Sequence, residues 1–326
     1  MGGGFWERLL FHLSRGFVVA KKFHYGGQAV IEGVMMRSPK FFAIALRKPD
    51  GDILVRKDPY VAITKRTKWL DIPIIRGAIA LVESLYLGIK ALTFSADQAM
   101  EEKVIEATGK ADHEIESGGK AFGTLWVTLM VVLGLVLGIG LFFYLPLVIT
   151  DLLGVKGGIA FNLVDGVVRV GIFLVYIWAI GLWKETRRIF EYHGAEHKSI
   201  ATFEVGEELT IDNAKKHTTV HTRCGTSFLI VVMMVSMVVF IFLGRPASIS
   251  ERLMRFLFIP LIGGVSYEII KLSSRSNIRF IQLLVKPGLW LQKMTTREPS
   301  TDQLEVAIVA LKEALDKSEA QSESSR

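Results

Sequence analysis

Apolar residues gather along this chain into blocks long enough to fill a bilayer. Phe122 to Thr150 runs without a charge, and Gly157 to Trp183, Thr226 to Leu243 and Phe256 to Leu272 follow it. Each approaches the roughly 20 residues that cross a hydrocarbon core as a helix, so the pattern predicts an α-helical integral membrane protein with about four transmembrane helices. Asp71 to Asp97 is apolar in a different way. Arg76, Glu83, Lys90 and Asp97 recur at every seventh position and draw one polar stripe along a helix. Such a helix is expected to lie in the interface or against the bundle, and a crossing here would change the topology by one. The opening MGGGFWERLLFHLSRGF mixes charges into its apolar positions and reads as an amphipathic surface helix, not a cleaved signal.

Between these blocks the period changes. AIALR and ILVRK alternate on either side of Pro49-Asp50-Gly51-Asp52, a β-hairpin signal, and predict a small cytoplasmic antiparallel sheet. In GGQAVIEGVMMR, glycines 26, 27 and 33 surround Gln28 and Glu32, which fits a bulged strand with tight turns or a backbone open to close approach. Gly134 and Gly138 permit close helix contact. Asp165 and Arg169 can pair near the outer interface, and Glu268, inside a span, is expected to face the bundle interior. From Val170 through Trp183 into KETRRIFEYHGAEHK no breaker is evident, which predicts one long helix. A strand-like ATFEV follows, then a short helix capped by Asp212 and bearing His217 and His221. Near the end, Asp302 and Glu305 suggest a capping box, Leu304, Ile308, Leu311 and Leu315 an apolar face, and KSEAQSESSR a disordered tail.

The chain thus divides into an N-terminal cytoplasmic region (1–121), helices one and two (122–183), a cytoplasmic histidine-rich loop (184–225), helices three and four (226–272) and C-terminal amphipathic helices with a tail (273–326). Composition agrees: half of the 326 residues are hydrophobic and the mean hydropathy is +0.38. Lys and Arg crowd the loop between Lys184 and Cys224, which places that loop and both termini in the cytoplasm of a multi-pass cell-membrane protein. The net charge of +7 is what juxtamembrane basic residues near anionic lipid produce; it predicts membrane lipids as partners and no nucleic acid. Association with a second copy is left open. A single cysteine excludes an internal disulfide.

Chemistry concentrates in the loop. His193 and His197 stand four apart, with Glu196 on the same helix face, and His193-Gly-Ala-Glu196-His197 matches H-x-x-E-H. In that pattern two histidines hold zinc and the glutamate serves as base. His217 and His221 repeat the spacing and Cys224 follows, giving five donors that suit zinc or another divalent transition metal. Five donors permit a closed structural site or an open catalytic one, and Cys224 reads equally as a buried thiol. Glu32 and Glu268 are secondary candidates.

GGQAVIEGVMMRSP, RRIFEYHGAEHKSI, HTRCGTSF, Tyr267-Glu268 and PGLWLQKMTTREPSTDQLEVAI together closely resemble the YqhQ family of bacterial membrane proteins, a domain of unknown function. The resemblance implies a metal-dependent enzyme and names no substrate. The expectation is a membrane-embedded, hydrolase-type enzyme acting at the cytoplasmic face on a membrane or membrane-proximal substrate. His193, His197 and His217 or His221 would be its ligands and Glu196 its base. The competing expectation is a transport, scaffold or lipid-interacting protein with a structural metal clasp.

Overall fold

The computed structural model describes residues 25–108, 129, 132–221, 224–273 and 279–315. The predicted N-terminal surface helix, the start of the first span, most of the charged linker after Met100 and the C-terminal tail lie outside them. Four strands, β1 (Gly26–Val30), β2 (Gly33–Arg37), β3 (Phe41–Arg47) and β4 (Ile53–Pro59), form an antiparallel meander in sequence order. The predicted hairpin is β3–β4, with Gly51 at φ 93° in its turn. GGQAVIEGVMMR is itself a tight hairpin: Val30 pairs Gly33, and Glu32 takes a left-handed φ of 54°.

The helices are α1 (Ile75–Thr108), α2 (Val132–Leu152, with a π-helical turn at Gly140–Tyr144), α3 (Gly158–Ile180), α4 (Lys184–Glu204), α5 (Ile211–Lys215), α6 (Gly225–Leu243), α7 (Ile249–Ser273, tightened at Arg255–Phe258), α8 (Arg279–Thr295) and α9 (Thr301–Ala314). By length and composition five stretches can cross a membrane: Ile75–Met100 of α1, and α2, α3, α6 and α7. The chain is a multi-pass helical membrane protein with a small sheet.

Several local expectations are corrected. The predicted long helix breaks at residues 181–183, where Trp183 is extended and starts α4 afresh. ATFEV is the end of α4 and not a strand, because Phe203 is buried in the core, edge-on to Tyr25 at 4.9 Å. Thr210, not Asp212, caps α5, which stops at Lys215 before either His217 or His221. The capping box is Ser300 with Gln303.

Both faces of the sheet are covered. Val34, Met36, Ala43 and Ala45 join Tyr192, Ala195 and Ile200 of α4 and Leu304, Ile308 and Leu311 of α9 in one core. On the other face Phe42, Ile44 and Leu46 meet Leu87 and Ala91 of α1. Three of the four residues of the polar stripe of α1 therefore face protein, and Asp97 is exposed. Arg76 grips Glu268 with both arms (2.6 and 2.5 Å), Glu83 accepts from the Ile63 amide (2.6 Å), and Lys90 reaches Asp58 (3.1 Å). Segments sharing one core lie on one side of a bilayer, so the number of crossings between β4 and α4 is even. Helices α2 and α3 supply two. Helices α6 and α7 then return the chain to the same side for α9.

At the opposite end of the bundle, charge is buried. Arg255, 1% exposed, donates to Asn162 Oδ1 (2.9 Å) and to the Gly244 carbonyl (2.8 Å). Beside it Arg169 pairs with Asp165 at 2.7 Å.

Candidate metal centre

Helix α4 leaves the bundle and enters the core between sheet and α9, so its second half is buried nearly all round. That places His193 and His197 on one side, with ring centroids 4.5 Å apart. Cys224 arrives from elsewhere, as the N-cap of α6, where its Sγ accepts from the Thr226 amide and lies 2.8 Å from the Thr226 hydroxyl. Among the described residues, His193, His197 and Cys224 form a cluster whose ligand atoms all lie within 4.8 Å of one another.

The orientation of both rings is set by main chain. His193 Nδ1 meets the Thr295 carbonyl at 2.8 Å and His197 Nδ1 the Thr219 carbonyl at 2.5 Å. A carbonyl only accepts, so each Nδ1 carries the proton and each Nε2 is left as a bare lone pair. His193 Nε2 lies 3.2 Å from Cys224 Sγ. His197 Nε2 is buried without a hydrogen bond of ordinary length, and Cys224 Sγ lies within 4.8 Å of the ligand atoms of the pair. Burial pushes the His197 imidazole below its usual pKa, with the Cys224 thiol opposing, which keeps the ring neutral as a ligand must be. A buried nitrogen lone pair with no donor, beside a second one and a sulfur, fits a soft or borderline cation.

Glu196 faces β1. Gly27 lets that strand pass: a Cβ there would sit 2.9 Å from Glu196 Cδ. Burial pushes the Glu196 carboxyl up, against the pull of His193 and His221 and of the Gly27 amide that donates to it. His221 lies beside the cluster, its ring centroid 5.7 Å from that of His197, with Nε2 3.2 Å from Glu204. His217 points away, to Glu207 at 3.0 Å. Glu32 is held by Arg188 (2.6 Å from Nε) and by the Tyr192 hydroxyl (3.4 Å), and Glu268 by Arg76, so neither carboxylate joins the cluster.

Sequence reasoning missed the supports. Gln292 of α8, fully buried, accepts from the His221 amide and donates to the His221 carbonyl, both at 2.8 Å, and donates to Ser227 Oγ at 2.7 Å. With the Thr295 carbonyl it makes α8 the brace of the site. Backbone acceptors carry no sequence signal, and a glutamine on an amphipathic helix carries little.

No solved structure matches the chain. The model of a family described as a protein of unknown function (DUF1385) matches residues 72–317. The uncharacterized protein YqhQ of Bacillus subtilis (strain 168) is 32% identical over 301 residues, covering 89% of this chain and 92% of that one. Long specific strings, a family match over most of the length and a relative aligned almost end to end agree: the chain belongs to the YqhQ family of bacterial integral membrane proteins, the DUF1385 family.

Proposed function

We propose that His193, His197 and Cys224 hold one divalent transition metal, zinc by their chemistry, in a membrane-proximal hydrolase facing the cytoplasm. The observation that carries the reading is the pair of imidazoles, each pinned at Nδ1 by a carbonyl with Nε2 turned towards Cys224, one of them orphaned. Anchored Nδ1–H groups of this kind orient metal-ligating histidines and fix their tautomer. Three protein ligands leave a position for substrate or water, as catalytic zinc sites do. When bound, such a metal supplies Lewis acidity and lowers the pKa of water to about 7. Glu196, buried with its pKa raised by desolvation, is the group that would take up and return the proton. An amphiphilic substrate fits best, because Cys224 caps α6, an apolar helix long enough to cross a membrane.

The competing reading, a structural clasp, is favoured by the enclosure of His197 and Cys224, 1% and 8% exposed. Metal analysis of purified protein separates the two. Wild type should hold about one zinc per chain, and His197→Ala or Cys224→Ser should lose most of it. Glu196→Gln should keep the metal and the melting temperature while failing complementation; full function in that variant selects the clasp, and metal-free wild type rejects both.

A further inference from the structure

Helix α3 ends at Ile180 and the chain turns through residues 181–183 into α4. At that turn a cleft of about 520 Å³ opens between the last turn of α3, the start of α4 and the end of α8. One wall is apolar, from Ile177, Trp178 and Leu182, and continues onto the lipid-facing surface, where Trp178 is 60% exposed. The other wall carries Arg187, Lys293 and Arg297. The cleft's two carboxylates are engaged. Glu298 accepts from Lys198 at 2.6 Å, and Glu191 accepts from Gln303 at 3.1 Å with Arg187 3.6 Å away.

Two cations remain. Among the described residues Lys293 has no hydrogen-bond or ion-pair partner. The Arg297 guanidinium has no carboxylate: Nη2 makes one long bond of 3.5 Å to the Gly181 carbonyl, and Nε is buried without a partner. A buried donor left unmatched, Arg297 Nε, beside an unpaired ammonium calls for an anion. A place at the end of an apolar helix and flanked by tryptophan suits the headgroup layer.

We propose that this cleft binds the headgroup of an anionic phospholipid, with its phosphate between Lys293 and Arg297 and its chains along Ile177, Trp178 and Leu182. Basic pockets between helices at the membrane face recognise lipid phosphates in this way, and a guanidinium offers phosphate a two-pronged fit. The site does not involve the histidine cluster. It would nevertheless steady it, because the same end of α8 presents the Thr295 carbonyl to His193, and the Arg297 amide donates to the Phe190 carbonyl of α4 at 2.9 Å.

The test is thermal unfolding of the full chain in detergent micelles, titrated with short-chain phosphatidylglycerol, with phosphatidylcholine, or with inorganic phosphate. Phosphatidylglycerol should raise the melting temperature saturably, and Lys293→Gln and Arg297→Gln should each weaken its apparent affinity about tenfold. Lys312→Gln, on the exposed side of α9, should leave it unchanged. If Arg297→Gln is itself unstable, Lys293→Gln decides alone, its side chain being free of internal bonds. Equal stabilisation by phosphatidylcholine, full stabilisation by inorganic phosphate alone, or a Lys293→Gln protein that responds as wild type would each overturn the proposal.

Discussion

Gln292 offers the sharpest test of how the candidate centre is built, because it touches none of the ligating atoms. Its side chain makes three hydrogen bonds of 2.7 to 2.8 Å in a fully buried place, two of them to the amide and carbonyl of His221. Replacement by alanine removes the Gln292 partner of both His221 groups. A buried polar group left unpaired costs about 1–3 kcal/mol, and the void is large enough for a water to repair part of the loss. The expected destabilisation is therefore about 3 kcal/mol. The clip also fixes the stretch that presents the Thr219 carbonyl to His197 and Cys224 to the cluster. Loss of outer supports of this kind lowers metal affinity by about 10–100-fold. Competition for zinc against a fluorescent chelator measures the second effect, and thermal unfolding in detergent the first. Wild-type affinity and melting temperature in Gln292→Ala would refute the view that α8 braces the site.

Burial lowers the pKa of His197 and His221 below their usual 6.5, so both take up protons on unfolding. Their contribution is in place above about 6.5 and is lost as pH falls through the folded values. Glu196, raised above 4.5, acts in the opposite sense, contributing below 4.5 and losing that as pH rises through its folded value. Metal-free protein should therefore lose stability from pH 7.5 to 5.5, more steeply in Glu196→Gln; a flat profile in both would contradict the burial of these groups. Gly27→Ala drives a methyl against Glu196 and the Met35 carbonyl and should cost about 1–3 kcal/mol in unfolding measurements, whereas a neutral result would mean that β1 can shift freely. Reporter fusions at Gly154 and Pro246 should read as exterior and at Gly206 as interior; an exterior Gly206 would reverse the orientation drawn from the positive charge.

Much of the membrane part was legible because apolar length alone specifies it, and α2, α3, α6 and α7 follow the four predicted runs. The stripe on α1 was visible as a period, but its partners Glu268, Ile63 and Asp58 come from remote segments that no local pattern connects. Burial overrode local preference at Thr202 and Phe203, whose β-forming character yielded to packing against Tyr25. The i, i+4 spacing of His193 and His197 survives because α4 is a regular helix. Repeating that argument at His217 and His221 failed, since α5 ends first and the two rings go to Glu207 and Glu204. The position of Cys224 depends on how α6 meets α4 and α8, a tertiary fact that spacing does not encode.

The buried guanidinium of Arg255 bears on how the chain enters the membrane in the first place. An arginine inside a membrane helix is costly to bury without partners, and those of Arg255, near the start of α7, are Asn162 of α3 and the Gly244 carbonyl at the end of α6. Helix α7 is the last span made, so its acceptors already exist when it emerges from the ribosome. The buried guanidinium therefore ties three spans together: α7 reaches its settled place only against α3 and the end of α6, and losing either contact leaves a charge without a partner.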